Sequence, residues 1–213
     1  MSLKQKIEIG QTFEFEGESY YIERRFNNSV YRLTDTQKRI HARILKVISA
    51  ENPEIAEIKY AKYLYVKRLR DILPIDPSDL TKYLGLNYSP EKSQITVLTT
   101  YQPGITLNDF STEIGPAFSA ERIEKLIQVA RGLLKLIGEL MEFNVAHRDI
   151  KAGNIICQTD STEKFYICDS NQSHKFTLAD PDFMCEIIDS LPKRIVGTSD
   201  TISPEQTNGK ISK

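Results

Sequence analysis

Five polar groups of different chemistry fall within the stretch HRDIKAGNII: the imidazole of His147, the guanidinium of Arg148, the carboxylate of Asp149, the ammonium of Lys151 and the carboxamide of Asn154. Asp149 can accept a proton, and Lys151, two residues on, can steady a developing negative charge. Asn154 and Asp169, the latter closing the next strand-like run, offer oxygen ligands for magnesium. A base, a nearby cation and a pair of metal ligands are the parts that phosphoryl transfer needs. By itself His147-Arg148-Asp149 would suit an exposed turn with a local ion pair. The spacing through to Asp169 is what favours chemistry.

Such groups work only when a rigid frame presents them. Upstream, Ser119 caps a run in which Ile123, Leu126, Ile127, Ala130, Leu133, Leu134, Ile137, Leu140 and Met141 follow the i, i+3, i+4, i+7 pattern, which predicts a helix to Phe143 buried along that stripe. Downstream, NIIC and KFYIC are each long enough for one small strand and read as a hairpin. The polar stretch therefore occupies a loop between a buried helix and a hairpin, a place suited to function.

The preceding half of the chain reads differently. TFEFEG, SYYIERRF, SVYRLTD and RIHARILKVI alternate polar and apolar residues, with Gly17-Glu18 and Asp35-Thr36 as turns. Asn52-Pro53 starts a helix expected to run to about Arg70 with Ile55, Ile58, Ala61 and Leu64 or Tyr65 on its buried face. LTKYLGLNYS and SQITVLTTY follow as strands around Pro90-Glu91-Lys92. The expectation is a five-stranded antiparallel sheet with one helix. Gln102-Pro103-Gly104 is the best linker, and Thr106 to Phe110 opens a short helix. The boundary divides the chain into 1–101 and 102–213.

Bulk composition excludes several classes. A chain of 213 residues with 40% hydrophobic and 27% charged residues and a net charge of -1 has the balance of an ordinary globular protein. No nucleic-acid partner is indicated, and Lys67-Arg68-Leu69-Arg70 reads as the wet face of a helix. Cys157, Cys168 and Cys185 form no CxxC pair, so neither a zinc site nor a disulfide framework is expected, and the setting is read as cytoplasmic. No run approaches the ~18 apolar residues of a membrane span.

HRDIKAGN is similar to H-R-D-x-K-x-x-N, the catalytic loop of eukaryotic-type protein kinases, and Lys151 resembles the serine/threonine branch. VGTSDTISPEQ, Val196 to Gln206, resembles the same family's V-G-T-x-x-Y-x-[AS]-P-E-Q. Aminoglycoside-type phosphotransferases share the Asp and Asn spacing but usually lack the lysine. The resemblance implies an α+β, two-lobe fold: a small antiparallel N-lobe with one helix and a mainly helical, incomplete C-lobe. It also implies ATP and Mg²⁺ as cofactors and a protein substrate bearing Ser or Thr.

By that resemblance Asp149 orients or deprotonates the substrate hydroxyl, Lys151 steadies the transferring phosphoryl group, and Asn154 and Asp169 hold Mg²⁺. Lys46 in RILKV matches the ATP-binding lysine. Glu57 is its expected helical partner, with Glu54 as the alternative. Val30 is counted with the ATP-binding residues, Thr99 matches the gatekeeper, and Thr100, Tyr101 and Gln102 lie in a hinge at about 99–104. Within an activation segment at 169–205, Arg148 is read as a phosphate receptor. Thr198 is either a phosphosite, like Ser199 and Thr201, or a hydrogen-bond partner of Asp149 and Lys151. Glu205 ends that segment.

Three features depart from the family. The phosphate loop should read G-x-G-x-x-G-x-V, yet Glu23 to Val30 contains no glycine. Asn28 is the residue there best able to adopt the left-handed conformation. D-F-G is replaced by Asp169-Ser170-Asn171. The family's further C-lobe helices do not follow Glu205, so a further segment of a longer protein or a partner chain is expected to cover the C-lobe. The departures favour an alternative reading, a kinase-like regulatory or binding module with weak or no catalysis.

Overall fold

Alternation of apolar and polar residues turns the first part of the chain into strands, because one face of each must leave water while the other stays wet. The computed structural model describes residues 7–35, 42–75, 80–113, 119–143, 145–147, 150–158, 176–178 and 186–187. The chain forms two compact units, Met1–Ile72 with Lys82–Tyr101, and Leu73–Thr81 with Gln102–Lys213.

The first unit contains β1 (Thr12–Phe15), β2 (Glu18–Arg25), β3 (Val30–Asp35), β4 (Arg43–Ser49), α1 (Pro53–Ile72), β5 (Tyr83–Ser89) and β6 (Gln94–Thr100). Its antiparallel sheet has the order β1-β2-β3-β4-β6-β5. Six strands stand where five are expected, because TFEF pairs along its whole length with β2, from Thr12 opposite Tyr21 to Phe15 opposite Glu18. The connecting residues Glu16 and Gly17 have φ of 51° and 84°, the left-handed pair of a tight hairpin turn.

One face of this sheet carries a core of Phe15, Ile22, Tyr31, Leu33, Leu45 and Leu98. Phe15 from one edge strand lies against Gly85 in the opposite edge strand, so a methyl group at Gly85 would overlap its ring. The sheet is therefore curled until its two edges meet around that core. The other face of β5 and β6 is covered by α1, where Tyr60 stacks on Tyr88 at 5.5 Å and Tyr63 meets Tyr83 at 6.2 Å.

Helix α1 begins as expected: Asn52 Oδ1 accepts from the Ile55 backbone N–H at 2.9 Å. Its buried face is a correction. Ala56, Tyr63, Val66, Leu69 and Arg70 are buried, whereas Ile58 and Tyr65 are exposed. The helix is turned by one residue, about 100°, because the tyrosines and Val66 offer the sheet more apolar area than the isoleucines. Arg70, expected on a wet face, is only 7% exposed. Lys67 instead pairs with Asp71 at 2.8 Å.

The second unit contains β7 (Gly104–Thr106), α2 (Leu107–Glu113), α3 (Ala120–Glu142), β8 (Val145–Ala146), β9 (Ile155–Gln158), β10 (Phe176–Leu178) and β11 (Glu186–Ile187). Thr106 caps α2, its Oγ1 accepting from the Asp109 N–H at 3.3 Å, and Ser119 Oγ accepts from the Arg122 N–H to cap α3. The face of α3 is corrected in part: Leu140 is buried as expected and Leu126, Leu133 and Ile137 are half-buried, but Val129 and Leu136 are buried in place of Ile123, Ile127, Leu134 and Met141, which are exposed. These two stripes lie on opposite sides of a helix that is apolar on both, so periodicity identifies the helix without choosing its face.

Strand β9 pairs with β10 on one side and with β7 on the other. KFYIC, the run expected to form a hairpin with NIIC, lies outside the described residues. Gly104 makes the pairing possible, since a Cβ there would run into the Cys157 carbonyl.

Replacing a mid-strand glycine by alanine normally stabilises by a few tenths of a kcal/mol or more. Gly85→Ala should do the reverse and cost ~1–3 kcal/mol, because Phe15 must leave its site. Urea denaturation monitored by circular dichroism measures the sign.

Candidate functional site

Lys46 stands in the middle of β4, opposite Val30 in β3 and Val97 in β6. Directly opposed residues of an antiparallel ladder share a face, so Lys46, Val30 and Val97 point away from the Phe15 core. The next row along the same face holds Arg24, Arg32, Ile44 and Thr99. Lys46 is half-buried and Thr99 buried. The face thus presents a cation beside a short apolar wall. Sequence reasoning identified Lys46, Val30 and Thr99 and missed Ile44, Arg24 and Arg32. Counting every second residue from Val30 and Lys46 would have found Arg32 and Ile44.

Glu57 and Glu54 are both exposed on the first turns of α1, off its buried face. At the end of β6, Thr100 is tied to Lys82 twice: its N–H donates to the Lys82 carbonyl at 3.0 Å, and its Oγ1 accepts from the Lys82 N–H at 3.1 Å. Tyr101 ends the first unit half-buried, with the Arg32 guanidinium 4.5 Å from its ring centroid. Arg32 Nε is also 3.0 Å from Glu23 Oε2, an ion pair rather than a directed hydrogen bond. Gln102 is half-buried at the start of the second unit.

The loop from Phe26 to Ser29 is closed on itself. Phe26 and Asn27 N–H groups donate to the Val30 carbonyl at 2.9 and 3.4 Å, and Ser29 N–H donates to Asn27 Oδ1 at 2.9 Å. Arg25 pins it from one end, with Nε donating to the Asn27 carbonyl at 2.9 Å and Nη2 to Asn28 Oδ1 at 2.6 Å. Asn28, the residue there best able to adopt the left-handed conformation, does not do so; the non-glycine residues with positive φ among those described are Glu16 and Ser93. Local side-chain acceptors close the turn without a left-handed residue.

In the second unit, Lys151 precedes a 3-10 turn, Ala152–Asn154, that leads straight into β9, and the Asn154 N–H donates to the Lys151 carbonyl at 2.9 Å. Lys151 and Asn154 stand one such turn apart; Asn154 and His147 are buried, and Lys151 is half-buried. Arg148, Asp149, Asp169, Thr198 and Glu205 lie outside the described residues. Among the described residues no three His, Cys, Asp or Glu side chains cluster closely enough to hold a metal ion, and no helix is long and apolar enough to cross a membrane.

No protein-family model matches the chain, and no curated protein matches it. Solved structures do. A double mutant of the PknI kinase domain of Mycobacterium tuberculosis superposes with a TM-score of 0.62 at 16% identity, over 97% of this chain and 71% of that one. A single mutant of the same domain gives 0.58 at 16% identity, over 100% and 71%. The fold is that of a protein kinase domain: a curled antiparallel sheet with one helix, followed by a partial helical part.

Cys157, buried in β9, has its thiol pushed up to about 12 by loss of hydration. Raising the pH from 7 to 9 speeds alkylation of an ordinary thiol by forming thiolate. Cys157 should stay unmodified by iodoacetamide over that range in the folded protein and react on unfolding, as peptide mass spectrometry will read.

Proposed function

We propose that this chain is a serine/threonine protein kinase that transfers the γ-phosphoryl group of ATP to a protein hydroxyl with the help of Mg²⁺. The observation that carries the reading is the sheet face of Lys46, Val30, Ile44 and Thr99 in a protein kinase fold. An apolar wall beside a lysine fits a purine nucleotide, the base against Val30 and Ile44 and the phosphates toward the ammonium. Residues 1–101 serve as the ATP-binding lobe and 102–213 as the catalytic lobe, with the hinge at about 99–104 and the activation segment at 169–205.

The nucleotide supplies the phosphoryl group, and the ion neutralises charge on it. Everything else falls to the chain. Lys46 orients the phosphates, supported by Glu57 or Glu54 on α1. Backbone groups of Thr100 to Gln102 hold the base, although the Thr100 N–H is already engaged by Lys82. Asp149 takes or orients the proton of the substrate hydroxyl, Lys151 steadies the transferring group, and Asn154 with Asp169 supplies oxygen ligands to the ion. Arg148, Thr198 and Glu205 organise the activation segment. Such positioning and charge neutralisation account for most of the acceleration in phosphoryl transfer.

A second reading, a kinase-like binding module without catalysis, has its own support. Three amide donors of the loop above Lys46, those of Phe26, Asn27 and Ser29, are engaged within the loop. A loop of that kind does not cradle phosphates through its backbone.

Transfer of ³²P from ATP to a generic protein substrate or to the chain itself separates the two. The kinase reading predicts Mg²⁺-dependent incorporation that falls by about 10²–10⁴-fold in Asp149→Ala, the usual worth of a positioned base. No incorporation, or incorporation indifferent to that substitution, favours the binding module. A thermal shift with ATP and Mg²⁺ then reports whether the nucleotide still binds.

A further inference from the structure

The face that carries Lys46 is richer in cations than the motif requires. Ladder register sets Arg24 opposite Arg32 and Arg32 opposite Ile44, one row from the pair of Val30 and Lys46. Arg24 and Lys46 stand on the same face with β3 between their strands, roughly 10 Å apart across the sheet, a span that a polyphosphate gripped by two long side chains can bridge. Arg32 is already committed, paired with Glu23 and stacked over Tyr101. Arg25 is committed too, bonded to the loop and lying 5.8 Å from the Tyr31 ring centroid on the core side.

Arg24 differs from both. It is exposed, its guanidinium lies 5.3 Å from the centroid of the exposed Phe26 ring, and it makes no ion pair with a described residue. Stacking on a ring face orients a guanidinium while leaving its in-plane N–H donors open to an anion. The neighbouring loop presents few backbone donors of its own. A side-chain fork therefore stands where the amide donors are missing.

We infer that Arg24 replaces the phosphate-binding backbone of the glycine-free loop, gripping the terminal phosphates of a nucleoside di- or triphosphate together with Lys46. The inference rests on the nucleotide-binding reading of this face and adds to it a source of affinity in side chains. Bidentate pairing of a guanidinium with phosphate oxygens suits such a role. Phe26 acts as a positioning residue, holding the guanidinium in plane.

The test compares equilibrium binding of ATP and of AMP, each with Mg²⁺, to the whole chain and to Arg24→Ala, Arg24→Lys and Asn28→Gly. Wild type should bind ATP more tightly than AMP. Arg24→Ala should lose about 10-fold or more in ATP affinity, the worth of one charge-assisted hydrogen bond, with AMP affinity and the nucleotide-free melting temperature unchanged. Arg24→Lys should recover part of the loss, and Asn28→Gly should leave binding unaltered. The inference is overturned if Arg24→Ala binds ATP like wild type or weakens ATP and AMP equally. It also falls, with the nucleotide reading intact, if wild type binds ATP and AMP equally well. If wild type binds neither, the nucleotide reading itself has failed.

Discussion

The contact of Phe15 with Gly85 sets the geometry of the first unit. An open six-stranded sheet would leave one apolar face wet, at a cost of roughly 1.5–3 kcal/mol for each large side chain so exposed. Bringing β1 around to β5 encloses Ile22, Tyr31, Leu33, Leu45 and Leu98 within the curl. The absence of a side chain at Gly85 is what allows the edges to meet. With one face committed to the core and α1 covering β5 and β6 on the other, Lys46, Val30 and Ile44 are left on the surface that chemistry can use.

Much of this was legible in the sequence, for a physical reason. The family resemblance singles out Lys46 and Val30, and a period of two explains why each points away from the core once the strands are placed. Ser119, Asn52 and Thr106 announce their helices because free backbone N–H groups need an acceptor. What periodicity does not resolve is a helix with two apolar sides. On α3 one apolar side is buried and the other exposed, and α1 turned toward the sheet that offered aromatic partners. All six strand-like runs, TFEF included, are legible in the alternation, and the count of five fell one short of the sheet they form.

The glycine-free loop is where motif and structure part most clearly. A backbone phosphate cradle needs free amides and a flexible chain, whereas this loop has an Asn27 side chain accepting its Ser29 amide and an arginine bolted across it. Motif matching alone would score this as a lost function. Geometry suggests a different division of labour, with rigidity from Asn27 and Arg25 and charge from Arg24 and Lys46 on the outward face. On the proposed reading the DSN replacement of D-F-G and the residues around Asp149 bear on catalysis rather than on the Lys46 face, so nucleotide binding and phosphoryl transfer are to be tested separately.

On the proposed reading Lys46 faces the phosphates of a bound nucleotide. A lysine-reactive acyl phosphate of ATP delivers its acyl group to an amine lying against the phosphates, and peptide mass spectrometry identifies the modified residue. The account predicts acylation of Lys46 that excess unlabelled ATP suppresses. Labelling of surface lysines alone, equal with and without ATP and sparing Lys46, would contradict it.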